Sequence, residues 1–427
     1  MNLIIAPFIA LYASAFLLMA GIGLLGTYLP LRLTVDGIAT PIIGCIMSAY
    51  FFGMCIGALY CHRLIRNVGH IRAFAAFAAT TTSVVILHGL FISPLLWGVL
   101  RFFAGLSTVG LYTVIESWLN ECTISTFRGR VMSAYMFVSC LGMAGSQYFL
   151  NFSSVQDTRM FFIISLLLML SIVPVAVTRS IHPELPHFGQ FSMQHLFRRA
   201  PVGMLGCFLA GLLVGAFYAI VPVFCHEIGL SINHLSMVMS VAILGGLALQ
   251  WPAGLLSDRF DRTYMLSSIC LAITVTSIII VLVAEHSFFL FLMIMILFGG
   301  LIFTIYPVSI ARAHDLFDTG DIVSASSVLL LCYCIGATVG PIAASWTMLS
   351  MRTGYGFFAY CAVVSMISAI IIFYLRKKEM ITIVATEDHS TFIPMKGTSP
   401  AAFLIDPRIE LDDGDDTNNR QESTAIK

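Results

Sequence analysis

Long apolar stretches separated by short polar breaks run through most of the chain. Each stretch is roughly twenty residues long, the length that crosses the hydrocarbon core of a bilayer as a helix. Backbone polar groups cannot stay unpaired in lipid, and the alternating pattern of a membrane barrel is missing, so we predict twelve transmembrane α-helices. They lie near residues 7–31, 41–61, 73–92, 95–118, 131–152, 160–178, 202–225, 235–256, 264–284, 287–310, 323–347 and 354–375.

The composition agrees with a membrane protein. Hydrophobic residues make up 59% of the chain and charged residues 10%, whereas a soluble protein carries about 25% charged residues. Most of the surface is therefore expected to face lipid. The net charge of zero argues against nucleic acid as a partner. The 11 cysteines form no Cys-x-x-Cys pair, so we predict neither a metal site, nor a cofactor, nor a disulfide framework.

The basic residues predict the orientation. The first apolar run lacks a basic leader and is too long for a signal-peptide core, so we interpret it as the first membrane helix. With the N-terminus inside, the outer loops hold Arg32, Arg159 and Arg352. The inner loops then hold 14 basic residues: Arg63, Arg66, Arg72, Arg128, Arg130, Arg179, Arg198, Arg199, Arg259, Arg262, Arg312, Arg376, Lys377 and Lys378. This asymmetry predicts a multi-pass protein of the cytoplasmic (inner) membrane with both termini in the cytoplasm.

A polar stretch divides the apolar runs six and six. We predict an N-terminal six-helix bundle over 1–178, a cytoplasmic linker over 179–201 and a C-terminal six-helix bundle over 202–376. The tail, 377–427, is polar and contains an acidic patch, and we expect it to be cytoplasmic and largely disordered. Short sequence matches recur between the halves at a nearly constant offset; Gly142 and Gly336, for example, are 194 residues apart. The fold class is thus all-α, with two pseudo-symmetric six-helix bundles.

A glycine and alternating charges mark the loop between the eighth and ninth predicted helices. The stretch contains Gly254, Asp258, Arg259, Asp261 and Arg262. Glycine lets helices approach closely, and the charges can lock the loop to neighbouring helix ends in one conformation and release it in another. We interpret this stretch as a gating latch. The alternative is a solvated turn that only satisfies the positive-inside rule.

This loop resembles the signature of the major facilitator superfamily, Gly-x-Leu-x-Asp-Arg-x-x-Arg. The corresponding loop of the first half contains Gly57, Arg63, Arg66 and Gly69, and departs from the pattern with Cys61 where the acid is expected. The first-half latch therefore lacks its acid or takes it from elsewhere, such as Glu121.

The chain is also similar to the YcaD-like branch of that superfamily. The resembling stretches are Val114–Ser117, Arg128–Arg130, Gln250–Arg262, Ser324–Ser327 and Gly340-Pro341. The resemblance covers all twelve predicted spans and implies a transporter, without defining its substrate.

The fourth predicted helix carries a polar stripe. Arg101, Gly105, Thr108, Tyr112 and Glu116 are spaced 4, 3, 4 and 4 residues apart, which puts them on one helical face. Charges inside a bilayer face a cavity or a partner, so the stripe predicts the wall of a polar pathway. By resemblance, Arg101 would assist proton coupling or bind an anionic group, and Glu116 would carry the proton. The alternatives are an Arg101 that snorkels to the interface and a Glu116 that anchors the latch.

Further polar side chains in the spans are candidates for the same substrate and proton pathway. They can equally bind a neighbouring helix. They are Gln147, Tyr218, Gln250, Tyr306 and Tyr333.

The predicted function is secondary active transport of a small solute by alternating access, coupled to protons, by a monomer. The chain has no phosphate-binding loop, no His-Glu-x-x-His zinc motif and no Gly-x-Ser-x-Gly nucleophile, so we expect neither an ATP-driven pump nor an enzyme. The alternative function is a transporter-like membrane sensor or receptor without flux. Few fixed charges line the spans, which favours an amphipathic, zwitterionic or neutral solute.

Overall fold

A computed structural model describes residues 2–121, 123, 127–177, 193–317, 322–378, 392, 394–399 and 402. The helices are α1 (Asn2–Val35), α2 (Thr40–Val68), α3 (His70–Leu90), α4 (Pro94–Glu121), α5 (Arg128–Ser146), α6 (Arg159–Leu170), α7 (Ile172–Val177), α8 (Met193–Arg199), α9 (Pro201–Glu227), α10 (Ile232–Arg259), α11 (Arg262–Val283), α12 (Phe288–His314), α13 (Ile322–Met351) and α14 (Gly356–Lys378). A 3₁₀ turn over Gln147–Phe152 follows α5.

Eleven segments of the described chain are long and apolar enough to cross a membrane. The predicted fifth span, 131–152, is the exception, because α5 begins with Arg128 and Arg130 and its end passes into the 3₁₀ turn. The all-α prediction is confirmed in the described residues, and α5 together with this turn occupies the place of the remaining predicted helix.

The predicted sixth helix, 160–178, is interrupted. It consists of α6 and α7, which meet at Ser171. The Ser171 hydroxyl donates to the Leu168 carbonyl at 2.7 Å, and its own carbonyl accepts from the Ser14 hydroxyl at 2.7 Å. Pro174 has no N–H to offer the Leu170 carbonyl, so the backbone ladder is broken here.

The two bundles repeat the same helix contacts. In the first, α2 packs on α4 and α1 on α5; in the second, α10 packs on α12 and α9 on α13. Glycines permit both α2–α4 and α10–α12 contacts. A Cβ at Gly105 would lie 1.8 Å from the Tyr50 carbonyl oxygen, and one at Gly299 would lie 2.3 Å from the Ala242 carbonyl oxygen. Only glycine lets the backbones approach this closely.

The glycine pair found by internal comparison of the sequence has matching positions. A Cβ at Gly142 would lie 2.5 Å from the carbonyl oxygen of Phe16 on α1. A Cβ at Gly336 would lie 2.1 Å from the carbonyl oxygen of Phe208 on α9. The α1–α5 and α9–α13 contacts are therefore built in the same way, which confirms the prediction of pseudo-symmetric bundles.

The bundles contact each other through α2 with α13, α5 with α10, and α1 with α9. These contacts are close at the end that the charge pattern assigns to the outside. A Cβ at Gly44 would lie 2.7 Å from the Pro341 carbonyl oxygen, and the Asn151 amide donates to the Ser236 hydroxyl at 3.4 Å. The halves thus meet at the predicted outer end.

Candidate transport cavity

A cavity lies between the two bundles. Helices of both halves form its wall. The polar and aromatic part of that wall includes Tyr50, Arg101, Tyr112, Tyr218, Tyr306 and Tyr333. Five of these six residues were predicted as pathway residues from the sequence.

Thioether side chains form much of the remaining wall. Met19, Met47, Met54 and Met143 all line the cavity. Methionine is flexible and polarizable and adapts to ligands of different shape. The wall therefore combines tyrosine hydroxyls with an adaptable apolar surface.

Arg101 lies in the cavity wall and is only 3% exposed. Its guanidinium carbon lies 4.3 Å from the centre of the Tyr50 ring, a cation–π contact. No carboxylate pairs with Arg101 in the part of the chain that the structure describes. A buried guanidinium held by an aromatic ring keeps its hydrogen-bond donors available for an anionic group.

Glu116 lies on the same helix and is completely buried. The Tyr135 hydroxyl donates to Glu116 Oε1 at 3.2 Å. The Thr398 hydroxyl donates to the same oxygen at 2.5 Å, and the Ser399 hydroxyl donates to Oε2. The carboxyl group of Glu116 is thus surrounded by hydroxyl donors. At 1.5 Å per residue, Arg101 and Glu116 stand about 22 Å apart along α4.

Two of the predicted tyrosines contact each other in the cavity wall. The rings of Tyr306 and Tyr333 are 5.0 Å apart in an edge-to-face arrangement. The Tyr218 hydroxyl donates to Met143 Sδ at 3.6 Å, and the Tyr112 hydroxyl to Met19 Sδ at 3.5 Å. These weak sulfur acceptors leave the tyrosine hydroxyls available to a stronger hydrogen-bond partner.

Four of the nine predicted pathway residues, Glu116, Thr108, Gln147 and Gln250, are not among the residues that line the cavity. The Thr108 hydroxyl donates to the Ala104 carbonyl of its own helix at 2.7 Å. The Gln147 amide donates to the Met143 carbonyl at 2.9 Å. Gln250 is 3% exposed. The part that Thr108, Gln147 and Gln250 play in transport stays a prediction.

Arg262 forms the centre of the predicted second-half latch. Its buried guanidinium lies 3.0 Å from Asp258 and 2.7 Å from Asp315, and donates to the Ala311 carbonyl at 2.8 Å. The side chain therefore ties the end of α10 and the start of α11 to the end of α12.

Asp261 extends the same network. Its carboxylate accepts from the Thr263 backbone N–H at 2.8 Å, capping α11, and pairs with Arg376 of α14 at 2.7 Å. Burial raises the pKa of Asp261, but the Thr263 hydrogen bond and the nearby Arg376 and Arg312 charges outweigh that effect and lower it overall. Arg259 is exposed. These contacts lie within the second bundle, and whether they gate transport stays a prediction.

The first-half loop is built differently. A Cβ at Gly57 would lie 2.8 Å from the Leu106 carbonyl oxygen, so this glycine serves the α2–α4 contact. Cys61, in the place of the acid, donates to that carbonyl from Sγ at 3.4 Å.

Its charged residues point away from such a network. The guanidinium of Arg63 stacks over the Tyr60 ring at 5.1 Å. Arg66 and Glu121 are exposed. Gly69 has a φ of +83° and joins α2 to α3.

Sequence reasoning missed Tyr50 and the C-terminal tail. Met395, Lys396, Gly397 and Thr398 line the cavity, although the tail as a whole was expected to be largely disordered. Most of the tail lies outside the described residues, so that expectation remains a prediction there. The available signal was the presence of apolar stretches, such as Phe392–Met395, within a polar tail.

Two matched bundles of membrane-spanning helices around a central cavity define a multi-pass membrane transporter. The family model of the Major Facilitator Superfamily matches residues 11–284 and 203–405. The chain belongs to the Major Facilitator Superfamily.

Transporters of the same superfamily are similar to this protein over most of the chain. The uncharacterized MFS-type transporter YcaD of Escherichia fergusonii is 27% identical over 354 residues, covering 82% of this chain and 91% of the relative. YcaD of Salmonella typhi is 28% identical, covering 82% and 90%. YcaD of Escherichia coli O17:K52:H18 is 29% identical, covering 81% and 89%. The predicted similarity to the YcaD-like branch is confirmed.

Solved structures show the same fold. The crystal structure of a mutant of the nucleoside transporter NupG superposes with a TM-score of 0.73 at 13% identity, covering 86% of this chain and 99% of NupG. A second NupG structure gives a TM-score of 0.66 at 14% identity, covering 89% and 99%. A transporter of this superfamily lies in a lipid bilayer and has a small-molecule substrate.

Proposed function

We propose that this protein is a secondary active transporter that moves a small solute across the cytoplasmic membrane by alternating access, coupled to protons through Glu116. The observation that carries the proposal is a fully buried carboxyl group on α4 whose partners are hydroxyl groups and one backbone N–H, with no cation among them. The same helix contributes the buried Arg101 to the cavity wall.

Alternating access is supported by the packing between the bundles. They meet closely at Gly44 with Pro341 and at Asn151 with Ser236, on the predicted outer side. The tail segment enters the cavity from the opposite end, near Asp258. Rocking one bundle against the other about this cavity would open the outer side and close the inner one.

Proton coupling is supported by the surroundings of Glu116. A charged carboxylate at membrane depth costs several kcal/mol unless a cation pairs with it. In the described chain its direct partners are the hydroxyls of Tyr135, Thr398 and Ser399 and the backbone N–H of Ala402, and no arginine or lysine is among them. Glu116 would take a proton from water when the cavity opens to one side and return it to water on the other.

The solute is expected to be amphipathic. The methionine and tyrosine wall favours an apolar or aromatic body, and Arg101, which has no carboxylate partner among the described residues, favours an anionic or strongly accepting group. Because NupG is named a nucleoside transporter, nucleosides belong in a test panel beside amino acids and other zwitterions.

The test is solute uptake into liposomes containing the purified full chain, with an imposed pH gradient and an internal pH dye. We expect uptake of a panel member to depend on the gradient in the wild type and to lose that dependence in Glu116→Gln. Glu121→Gln is the matched control, since Glu121 is an exposed carboxylate on the same helix, and it should behave as the wild type.

The outcomes separate the alternatives. Gradient-driven uptake that survives in Glu116→Gln would end the proton-carrier role. Specific solute binding without uptake in the wild type would favour the sensor or receptor.

The remaining parts of the proposal are the orientation and the oligomeric state. We propose that both termini lie in the cytoplasm and that the transporter is a monomer. Reporter fusions at each terminus should both report the cytoplasmic side, and light scattering of the purified protein should give the mass of one chain. Termini on opposite sides of the membrane, or the mass of a dimer, would contradict these statements.

A further inference from the structure

We infer that the C-terminal tail is a tethered ligand of the transport cavity, which binds Glu116 through two adjacent hydroxyl groups and excludes the solute while it is seated. The described part of this tail, Phe392 with residues 394–399 and Ala402, is called the seated segment below. Its position in the cavity is independent of the proposed function; its effect on transport rests on that function.

The first support is the pairing with Glu116. Thr398 donates its hydroxyl to Oε1 at 2.5 Å, and Ser399 donates its hydroxyl to Oε2. Both oxygens of the carboxyl group are thereby occupied by neighbouring tail residues. One hydroxyl on each oxygen makes this pair a specific attachment point rather than a single contact.

The second support is burial between the bundles. Met395 and Thr398 are each 4% exposed, and Ser399 is fully buried. Lys396 Nζ lies 3.7 Å from Met143 Sδ of the first bundle. A Cβ at Gly397 would lie 2.7 Å from ring atoms of Tyr333 in the second bundle. The seated segment therefore contacts both halves.

The third support is an anchor at the mouth of the cavity. The Phe392 backbone N–H donates to Asp258 Oδ1 at 3.3 Å. The Phe392 ring packs on Gly254, where a Cβ would lie 2.6 Å from the ring. Two residues of the predicted latch motif thus hold the segment where it enters.

The connection from the last helix is long enough for this placement. Lys378 ends α14, and Phe392 is 14 residues further along, which can span up to about 46–50 Å. A tethered segment acts at an effective concentration of about millimolar, so a weak site would still be occupied. While the segment is seated, a solute cannot reach Glu116, and the two bundles cannot close over the cavity from the side where the segment enters.

The experiment measures how strongly the cavity protects Met395 in the full-length purified protein. Hydrogen peroxide oxidises accessible thioethers, and mass spectrometry gives the rate at Met395 relative to Met193, which is 38% exposed. Two variants release the segment by different routes. Thr398→Val with Ser399→Ala removes both hydroxyls from Glu116. Gly397→Val places a branched side chain against the Tyr333 ring.

The tail offers a matched control for each variant. Thr424→Val with Ser423→Ala makes the same chemical change at another adjacent hydroxyl pair, and Gly414→Val does so at another glycine. We expect Met395 oxidation to be at least tenfold faster in both release variants than in the wild type and controls, a change that corresponds to about 1.4 kcal/mol. Equal rates of Met395 oxidation in all five proteins, whether slow or fast, would overturn the inference that the segment is bound in the cavity through these contacts.

The effect on transport is read separately in the same proteins in liposomes. Once a transported panel member is known, we expect solute flux to rise in both release variants and to stay at the wild-type level in both controls. Unchanged flux together with faster Met395 oxidation would show a seated segment that does not inhibit, and would overturn that part of the inference. Protection of Met395 without flux of any panel member in any protein would count against the proposed function. It would still support the position inferred for the seated segment.

Discussion

Arg262 Nη1 lies 2.7 Å from Asp315 Oδ1, and the two side chains are 0% and 1% exposed. Removing two charges from water is costly, and the pair is stable here because the guanidinium also donates to the Ala311 carbonyl at 2.8 Å and to the Ser257 carbonyl at 3.3 Å. The ion pair fixes the start of α11 against the end of α12. The most distinctive sequence motif of the chain therefore organises one bundle from within.

Removing Asp315 should destabilise the second bundle strongly. Asp315→Ala leaves the Arg262 charge buried without its closest partner, which costs about 3–5 kcal/mol. Asp258→Ala is the comparison, because the side chain of Asp258 is 41% exposed and a partly solvated pair contributes up to about 1 kcal/mol. Thermal unfolding of the purified variants in detergent should rank wild type, Asp258→Ala and Asp315→Ala in that order. Equal melting temperatures for the two variants would contradict the ranking.

Gly105 should tolerate no side chain at all. Its Cβ would lie 1.8 Å from the Tyr50 carbonyl oxygen, so Gly105→Ala must push α2 away from α4, and overpacking of this kind costs about 1–3 kcal/mol or more. Gly98 on the same helix has nothing within 4 Å of such a Cβ. Gly98→Ala should therefore leave the melting temperature unchanged or raise it slightly, since alanine favours the helix by about 1 kcal/mol. Similar losses in both variants would show that the close contact is not what requires glycine.

The stacking of Arg101 on Tyr50 can be tested without knowing the solute. Tyr50→Phe keeps the ring that faces the guanidinium, whereas Tyr50→Leu removes it. A desolvated cation–π contact is worth about 2 kcal/mol, so we expect Tyr50→Leu to lower the melting temperature clearly and Tyr50→Phe to change it little. If Tyr50→Phe were as damaging as Tyr50→Leu, the hydroxyl group rather than the ring would be the important part of Tyr50.

Membrane-spanning length and helical spacing predict much of this protein. A run of about twenty apolar residues has few alternatives to a helix in lipid, and a stripe at intervals of 3 and 4 residues must share one face. For that reason the sequence alone places Arg101, Tyr112 and Glu116 on one face of α4. The break at Ser171 was not predicted, because apolar length alone does not show the combined effect of the Ser171 hydroxyl and of Pro174, which has no N–H.

Contacts between segments distant in sequence could not be predicted in the same way. Thr398 is 282 residues from Glu116, and nothing in its local sequence distinguishes it from other hydroxyl residues of a polar tail. Tyr50 is one of 14 tyrosines, and its role depends on which residue of α4 lies opposite it. The position of Gln147 outside the cavity wall likewise follows from the end of α5 passing into a 3₁₀ turn, which apolar length does not reveal.

Asp261 should give the second bundle a stability that depends on pH. Its pKa is lowered in the folded protein because the Thr263 N–H and the charges of Arg376 and Arg312 outweigh the opposing effect of burial. A lowered folded pKa stabilises the protein fully above the unfolded value of about 3.9, and that contribution disappears as the pH falls through the folded value. Asp261→Asn removes the titrating group and the charge that pairs with Arg376 but keeps a side-chain oxygen that caps α11 as well as aspartate does, so it costs up to about 1 kcal/mol at pH 7. In thermal unfolding from pH 7 to pH 3, the gap between wild type and variant should be constant down to about pH 4 and narrow below it; a gap that stays constant to pH 3 would show that Asp261 acts through shape alone.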